Sequence, residues 1–146
     1  MIATGWRVSL AFMPEESTQL PMAAGSIKVL LADDDPLFLE SLQALIDRQP
    51  ELRVVATASN GLEAIELADR VVPDAVVVDL HMPLLDGVST LARLRQDHPH
   101  VCLIVLTGDA DPKLHEAATA AGADAVLEKH EMARALVDRL AAGHTS

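Results

Sequence analysis

The stretch Ala75-Val-Val-Val-Asp-Leu-His-Met-Pro-Leu-Leu-Asp-Gly87 changes character twice. Ala75 to Asp79 is a short, β-branched apolar run, which is how a strand buried on both faces reads. Met82-Pro83 and Asp86-Gly87 then break the run with turn residues. Beyond them Val88, Leu91 and Leu94 recur at helical spacing on one face. The order is strand, turn, helix, and the strand ends on a carboxylate. Whether Asp79 is a cap or a chemical group depends on what gathers beside it.

The same pattern repeats on either side. Candidate strands fall at residues 27–32, 52–58, 75–79, 101–106 and 123–128, each rich in Val, Leu, Ile or Ala. Between them lie amphipathic helical patterns. Phe38, Leu42, Leu45 and Ile46 share a face of the first, and the second, over 61–72, is opened by Asn60. The fourth runs over 112–121 and ends at Gly122, and a fifth runs from about 131 to 142 and ends at Gly143. Five βα units predict an α/β fold, a doubly wound parallel sheet with five helices on its two faces. Right-handed crossovers then bring every strand's C-terminal end to one edge, where such sheets bind ligands.

A chain of 146 residues suits one domain with one core, here expected over 27–142 with a leader at 1–26 and a tail at 143–146. Half the residues are apolar, yet only Trp6, Phe12 and Phe38 are aromatic, so the core is aliphatic. A net charge of -11 argues against direct nucleic-acid binding and against an anionic membrane surface, both of which rely on Lys and Arg. Cys102, the single cysteine, reads as a small buried hydrophobe. No stretch has the apolar length of a membrane span. In the leader, Arg7 interrupts the apolar piece from Trp6 to Met13 and no basic segment precedes it, so a secretory signal fits poorly and a cytoplasmic protein is expected. Met13 and Met22 are alternative starts, and the leader is assigned no function.

The strand ends carry the chemistry. Asp33-Asp34-Asp35 follow the first strand, Asp79 ends the third, Thr107 follows the fourth and Lys129 the fifth. Clustered carboxylates repel one another and need a cation. Mg²⁺, which prefers carboxylate and carbonyl oxygens, relieves that repulsion. With Asp33, Asp34 and Asp79 ionised, one Mg²⁺ and Lys129 bring the formal charge of the group to zero. A carboxylate held ionised beside Mg²⁺ and a lysine is a competent nucleophile toward a phosphoryl group.

These residues, in this order and spacing, resemble the receiver domain of two-component response regulators: an acidic pair after strand one, an Asp followed by Met-Pro and Asp-Gly, a Thr after strand four and a Lys after strand five. The resemblance covers Ile27 to about Ala142. It implies a flavodoxin-like sheet of order 2-1-3-4-5. Asp79 would be the phosphoacceptor, with Asp33 and Asp34 carrying Mg²⁺ and Asp34 the more direct ligand. His81 would lend its backbone carbonyl to the metal, Thr107 would hydrogen-bond the phosphoryl group, and Lys129 would pair with another of its oxygens. A histidine kinase or phosphotransfer protein would be the donor. Output would pass to a protein effector or a second copy through the face of helix four, strand five and helix five. Asp33-Asp-Asp-Pro-Leu is most similar to receivers that precede a helix-turn-helix domain. Here the sequence stops near the end of helix five, so signalling by contact alone is expected.

Asp35, Asp86 and Asp111 precede Pro36, Gly87 and Pro112 and read as helix caps. The His81 side chain, with Asp109, is placed to tune the access of water to an acyl phosphate. Glu128 is expected on the opposite face of its strand from Lys129. Two departures from the family stand out. Val126 takes the place of the Tyr or Phe that many receivers carry three residues before the lysine, and His130 replaces a common cis proline. Val126 motivates an alternative, a receiver-like interaction or dimerisation module that works without phosphorylation. A third reading, a Mg²⁺-dependent phosphatase resembling the haloacid dehalogenase group, uses Asp33-x-Asp35, Thr107 and Lys129 but leaves Asp79-Leu-His-Met-Pro unexplained.

Overall fold

The structure, a computed structural model, describes residues 26–82, 86–108 and 111–129. Five strands, β1 (Ile27–Ala32), β2 (Leu52–Ala58), β3 (Ala75–Asp79), β4 (Cys102–Thr107) and β5 (Ala125–Glu128), form one sheet. Every pairing is parallel and the order is β2-β1-β3-β4-β5, the expected 2-1-3-4-5. The helices α1 (Pro36–Asp47), α2 (Gly61–Val71), α3 (Gly87–Asp97) and α4 (Pro112–Ala121) connect them. The fifth helix expected near 131–142, the tail, and residues 1–25 of the leader lie outside the described residues.

Strand alternation sorts the core into two layers. Leu30, Val76, Val78, Leu103 and Val105 face one side with Ala64 and Ala68 of α2, Leu91 and Leu94 of α3 and Ala118 of α4. Val29, Leu31, Val77, Ile104 and Leu106 face the other, against Leu42 and Ile46 of α1. Both faces are covered, which is why the strands read as unbroken apolar runs. Among the described residues, no helix is long and apolar enough to cross a membrane.

The predicted caps hold. Asp35 Oδ1 accepts from the backbone N–H of Leu37 and Phe38, Asp86 Oδ1 from Ser89, and Asp111 Oδ1 from Lys113. Asn60 Oδ1 accepts from Glu63 N–H at 2.8 Å.

Three boundaries differ from the sequence expectation. Thr107 is the last residue of β4 rather than the first beyond it, because β4 runs one residue later than expected and pairs Thr107 with Glu128. β5 begins at Ala125, not at 123, because Ala123 N–H closes the end of α4 on Ala118 and Asp124 bonds both the N–H and the C=O of Leu103. α2 stops at Val71: Pro73 disfavours helical geometry in the residue before it, and Val72 takes a left-handed φ of 47°.

Candidate functional site

The sheet order reverses between β1 and β3, so the helix connections leave those two strand ends on opposite faces and open a crevice between them. The crevice receives the acidic residues. Asp33 follows β1 directly, its N–H donating to Ala58 of β2 at 3.0 Å, and is 2% exposed. Its Oδ1 accepts from Asp35 N–H at 2.9 Å. Asp79 ends β3 and is 5% exposed, its Oδ1 accepting from His81 N–H at 3.2 Å. Asp34 is exposed at the rim. One carboxylate oxygen from each of Asp33, Asp34 and Asp79 lies within 4.8 Å of the others.

Lys129, just past β5, reaches into this cluster. Its Nζ lies 2.9 Å from Asp33 Oδ2 and 3.4 Å from Asp79 Oδ2. The first contact is an ion pair outside hydrogen-bonding geometry, so the buried Asp33 Oδ2 has charge compensation but no donor aligned on it. Burial raises the pKa of Asp79, the His81 N–H opposes that, and the neighbouring Asp33 raises it further. Burial works against the charge on Lys129, but the Asp33 and Asp79 carboxylates outweigh it and hold the ammonium above its ordinary pKa.

The donor set fits a hard divalent cation. Three carboxylates converge, two are buried, one buried oxygen lacks a hydrogen bond, and a single lysine does not neutralise them. Asp35 is not a member of the cluster, since its Oδ1 caps α1. That removes the Asp33-x-Asp35 pair on which the phosphatase reading relied.

Thr107 is fully buried at the end of β4, the strand beside β3. The structure thus brings Asp33, Asp79 and Lys129 into direct contact, sets Asp34 at the rim, and places Thr107 on the adjacent strand end. His81 touches Asp79 through its backbone N–H. Asp109 and His130 lie outside the described residues.

Sequence reasoning missed two participants. Gly87 opens α3, where a Cβ would stand 2.4 Å from Leu80 Cα and 2.8 Å from Asp79 O, so only glycine lets this helix start against the end of β3. Phe38 lies under the lysine, its ring centroid 4.3 Å from Lys129 Nζ. The Asp86-Gly87 pair was visible as a turn, but the approach to β3 was not. Phe38 read only as part of an apolar helix face.

The family model described as "Response regulator receiver domain" matches residues 29–141. The chain belongs to the response regulator receiver family. Among curated relatives of this receiver, the transcriptional regulatory protein LnrK of Bacillus subtilis is 34% identical over 119 residues, covering 82% of this chain and 54% of LnrK. A protein-glutamate methylesterase/protein-glutamine glutaminase of Methanospirillum hungatei is 42% identical over 82 residues, covering 56% of this chain and 23% of that protein. The receiver therefore spans about half or less of the length of these relatives. Among solved structures, the response regulator domain of Thermotoga maritima CheB matches with a TM-score of 0.77 and 26% identity, covering 83% of this chain and 98% of that one. A DNA-binding response regulator of the LuxR family from Staphylococcus aureus matches with a TM-score of 0.76 and 25% identity, covering 81% and 98%.

Proposed function

We propose that this receiver accepts a phosphoryl group on Asp79 and signals through protein contacts. The observation that carries the reading is the position of Lys129 Nζ, 2.9 Å from Asp33 and 3.4 Å from Asp79 within a cluster of three convergent carboxylates. With two buried carboxylates and a third at the rim facing one ammonium, the cluster keeps Lys129 charged at the place where a phosphoryl group on Asp79 would add further negative charge.

An oxygen of Asp79 attacks phosphorus in line. The new O–P bond forms as the P–N bond of a phosphohistidine donor breaks, and the imidazole leaves with the electron pair and takes a proton from solvent. A histidine kinase or phosphotransfer protein supplies that donor. Lys129 pairs with a phosphoryl oxygen, and the Thr107 hydroxyl, at the neighbouring strand end, donates to another. Asp33, Asp34, Asp79 and the His81 carbonyl would hold Mg²⁺, which when bound would supply positive charge to offset that of the phosphoryl group. The exposed surface formed by α4 and β5, with His115, Thr119, Ala120 and Val126, is the contact face this reading favours.

Val126 supports a second reading. It is half-buried against the core layer under α4 and is β-branched, with few rotamers, so it sweeps little volume compared with an aromatic side chain. That motivates a module whose partner affinity is independent of phosphorylation.

Intact mass after incubation with acetyl phosphate, with and without Mg²⁺, separates the two. A single phosphoryl adduct on the wild type that needs Mg²⁺ and is absent from Asp79→Asn supports the phosphoacceptor. No adduct on the folded wild type favours the second reading, and an adduct surviving in Asp79→Asn means another residue is the acceptor.

A further inference from the structure

Phe38 is the only aromatic residue among those described, and it sits against the only cation in the acidic cluster. We propose that Phe38 is a positioning residue for Lys129, holding its ammonium by a cation–π contact at the place where the phosphoryl group of Asp79 is recognised. The inference rests on the phosphoacceptor reading above and names a part of the machinery which that reading lacks.

The contacts form a closed circuit. Asp33 Oδ1 accepts from Asp35 N–H at 2.9 Å. Asp35 Oδ1 in turn accepts from Phe38 N–H at 3.3 Å, so the backbone of Phe38 is fixed by a residue that Asp33 itself orients. The Phe38 ring meets Lys129 Nζ at 4.3 Å, and Lys129 Nζ returns to Asp33 Oδ2 at 2.9 Å. Strand alternation explains how the two side chains meet. Leu127 of β5 packs on the α1 side of the sheet, Lys129 follows two residues on, and Phe38 packs on that same core layer.

A lysine stem has four rotatable bonds, and holding its head in one place costs conformational entropy. The one hydrogen bond of Lys129 to the carboxylates, to Asp79 Oδ2, is long at 3.4 Å, and the closer Asp33 contact lies outside hydrogen-bonding geometry, so the carboxylates orient the ammonium only weakly. The face of an aromatic ring adds a second, directional attraction, strongest where water is partly excluded. Lys129 is 26% exposed, so it is in that regime. An aliphatic side chain at position 38 would fill the space but lack the quadrupole.

The test compares Phe38→Leu with Phe38→Tyr, the second restoring the ring. Lys28 and Lys113 are the other lysines of the chain, so the Lys129 Hε resonances are readily assigned. In metal-free protein these protons should show an upfield ring-current shift that is lost in Phe38→Leu and retained in Phe38→Tyr. With acetyl phosphate and Mg²⁺, Phe38→Leu should be phosphorylated about fivefold more slowly, the equivalent of one modest cation–π contact, and Phe38→Tyr at the wild-type rate. An unchanged rate in Phe38→Leu overturns the proposal while leaving Asp79 as acceptor. Equal slowing in both variants also overturns it, since the role is then packing alone. No adduct on the wild type overturns the phosphoacceptor reading and this proposal with it.

Discussion

Asp79 is 5% exposed, and burial first of all, then the carboxylate of Asp33, hold its pKa above the ordinary aspartate value against the opposing His81 N–H. The folded state therefore prefers the protonated acid more than the unfolded chain does. That preference favours folding fully at pH below the unfolded pKa and is lost as pH rises through the raised folded value. Above that window the ionised Asp79 weakens the fold. Asp79→Asn removes the charge, and Asp33 still faces Lys129 at 2.9 Å. In metal-free buffer at pH 7 the variant should be more stable by about 1 kcal/mol, seen as a melting temperature a few degrees higher. The difference should shrink as pH falls through the window, and thermal melts across pH 3 to 8 check it. A variant less stable than wild type at pH 7 would show that the Lys129 contact outweighs burial and repulsion.

At the scale of elements, two junctions carry consequences that local sequence signals did not show. The Asp86-Gly87 pair was legible as a helix start, and Asp86 does accept from Ser89 N–H at 2.9 Å. Why the second residue is glycine depends on β3, whose last residues lie against it, and that contact exists only once the βα unit has folded. Gly87→Ala would push a Cβ to 2.4 Å from Leu80 Cα, backbone against backbone, with no flexible side chain to yield. It should cost about 3 kcal/mol, at the upper end for overpacking, and should slow phosphorylation by displacing Asp79, both measurable by denaturant melts and adduct formation. The second junction is the end of α2. Val72 adopts φ 47°, costly for a β-branched residue, and is 59% exposed, so its side chain contributes little packing in return. Val72→Gly should stabilise the protein by about 1 kcal/mol, with a higher urea midpoint and an unchanged m-value.

For the whole molecule, the fold was legible because five apolar runs separated by amphipathic ones admit few arrangements once crossovers are right-handed and short. Asp33, Asp34, Asp79, Thr107 and Lys129 were legible too, since in a parallel sheet the C-terminal strand ends share an edge. Phe38 was not, because its partner lies at the far end of the chain and the two meet only through the layering of α1 over the sheet. A cation at the strand-end cluster would bear on global stability as well. Asp33 and Asp34 follow β1 and Asp79 ends β3, so a divalent ion held by them would tie together the two strands on which the sheet order reverses. In a chain of net charge -11 it would also relieve a local concentration of negative charge that no lysine but Lys129 contacts among the described residues. An ion that binds the folded chain and not the unfolded one stabilises by mass action, by about 2.7 kcal/mol at a hundred times its Kd. Thermal melts in increasing MgCl₂ should therefore rise steadily, return to the starting value with excess chelator, and rise much less in Asp34→Asn, whose exposed side chain can be changed without disturbing the core. A melting temperature that responds equally in Asp34→Asn, or to the same ionic strength of NaCl, would assign the effect to general screening and not to a bound ion.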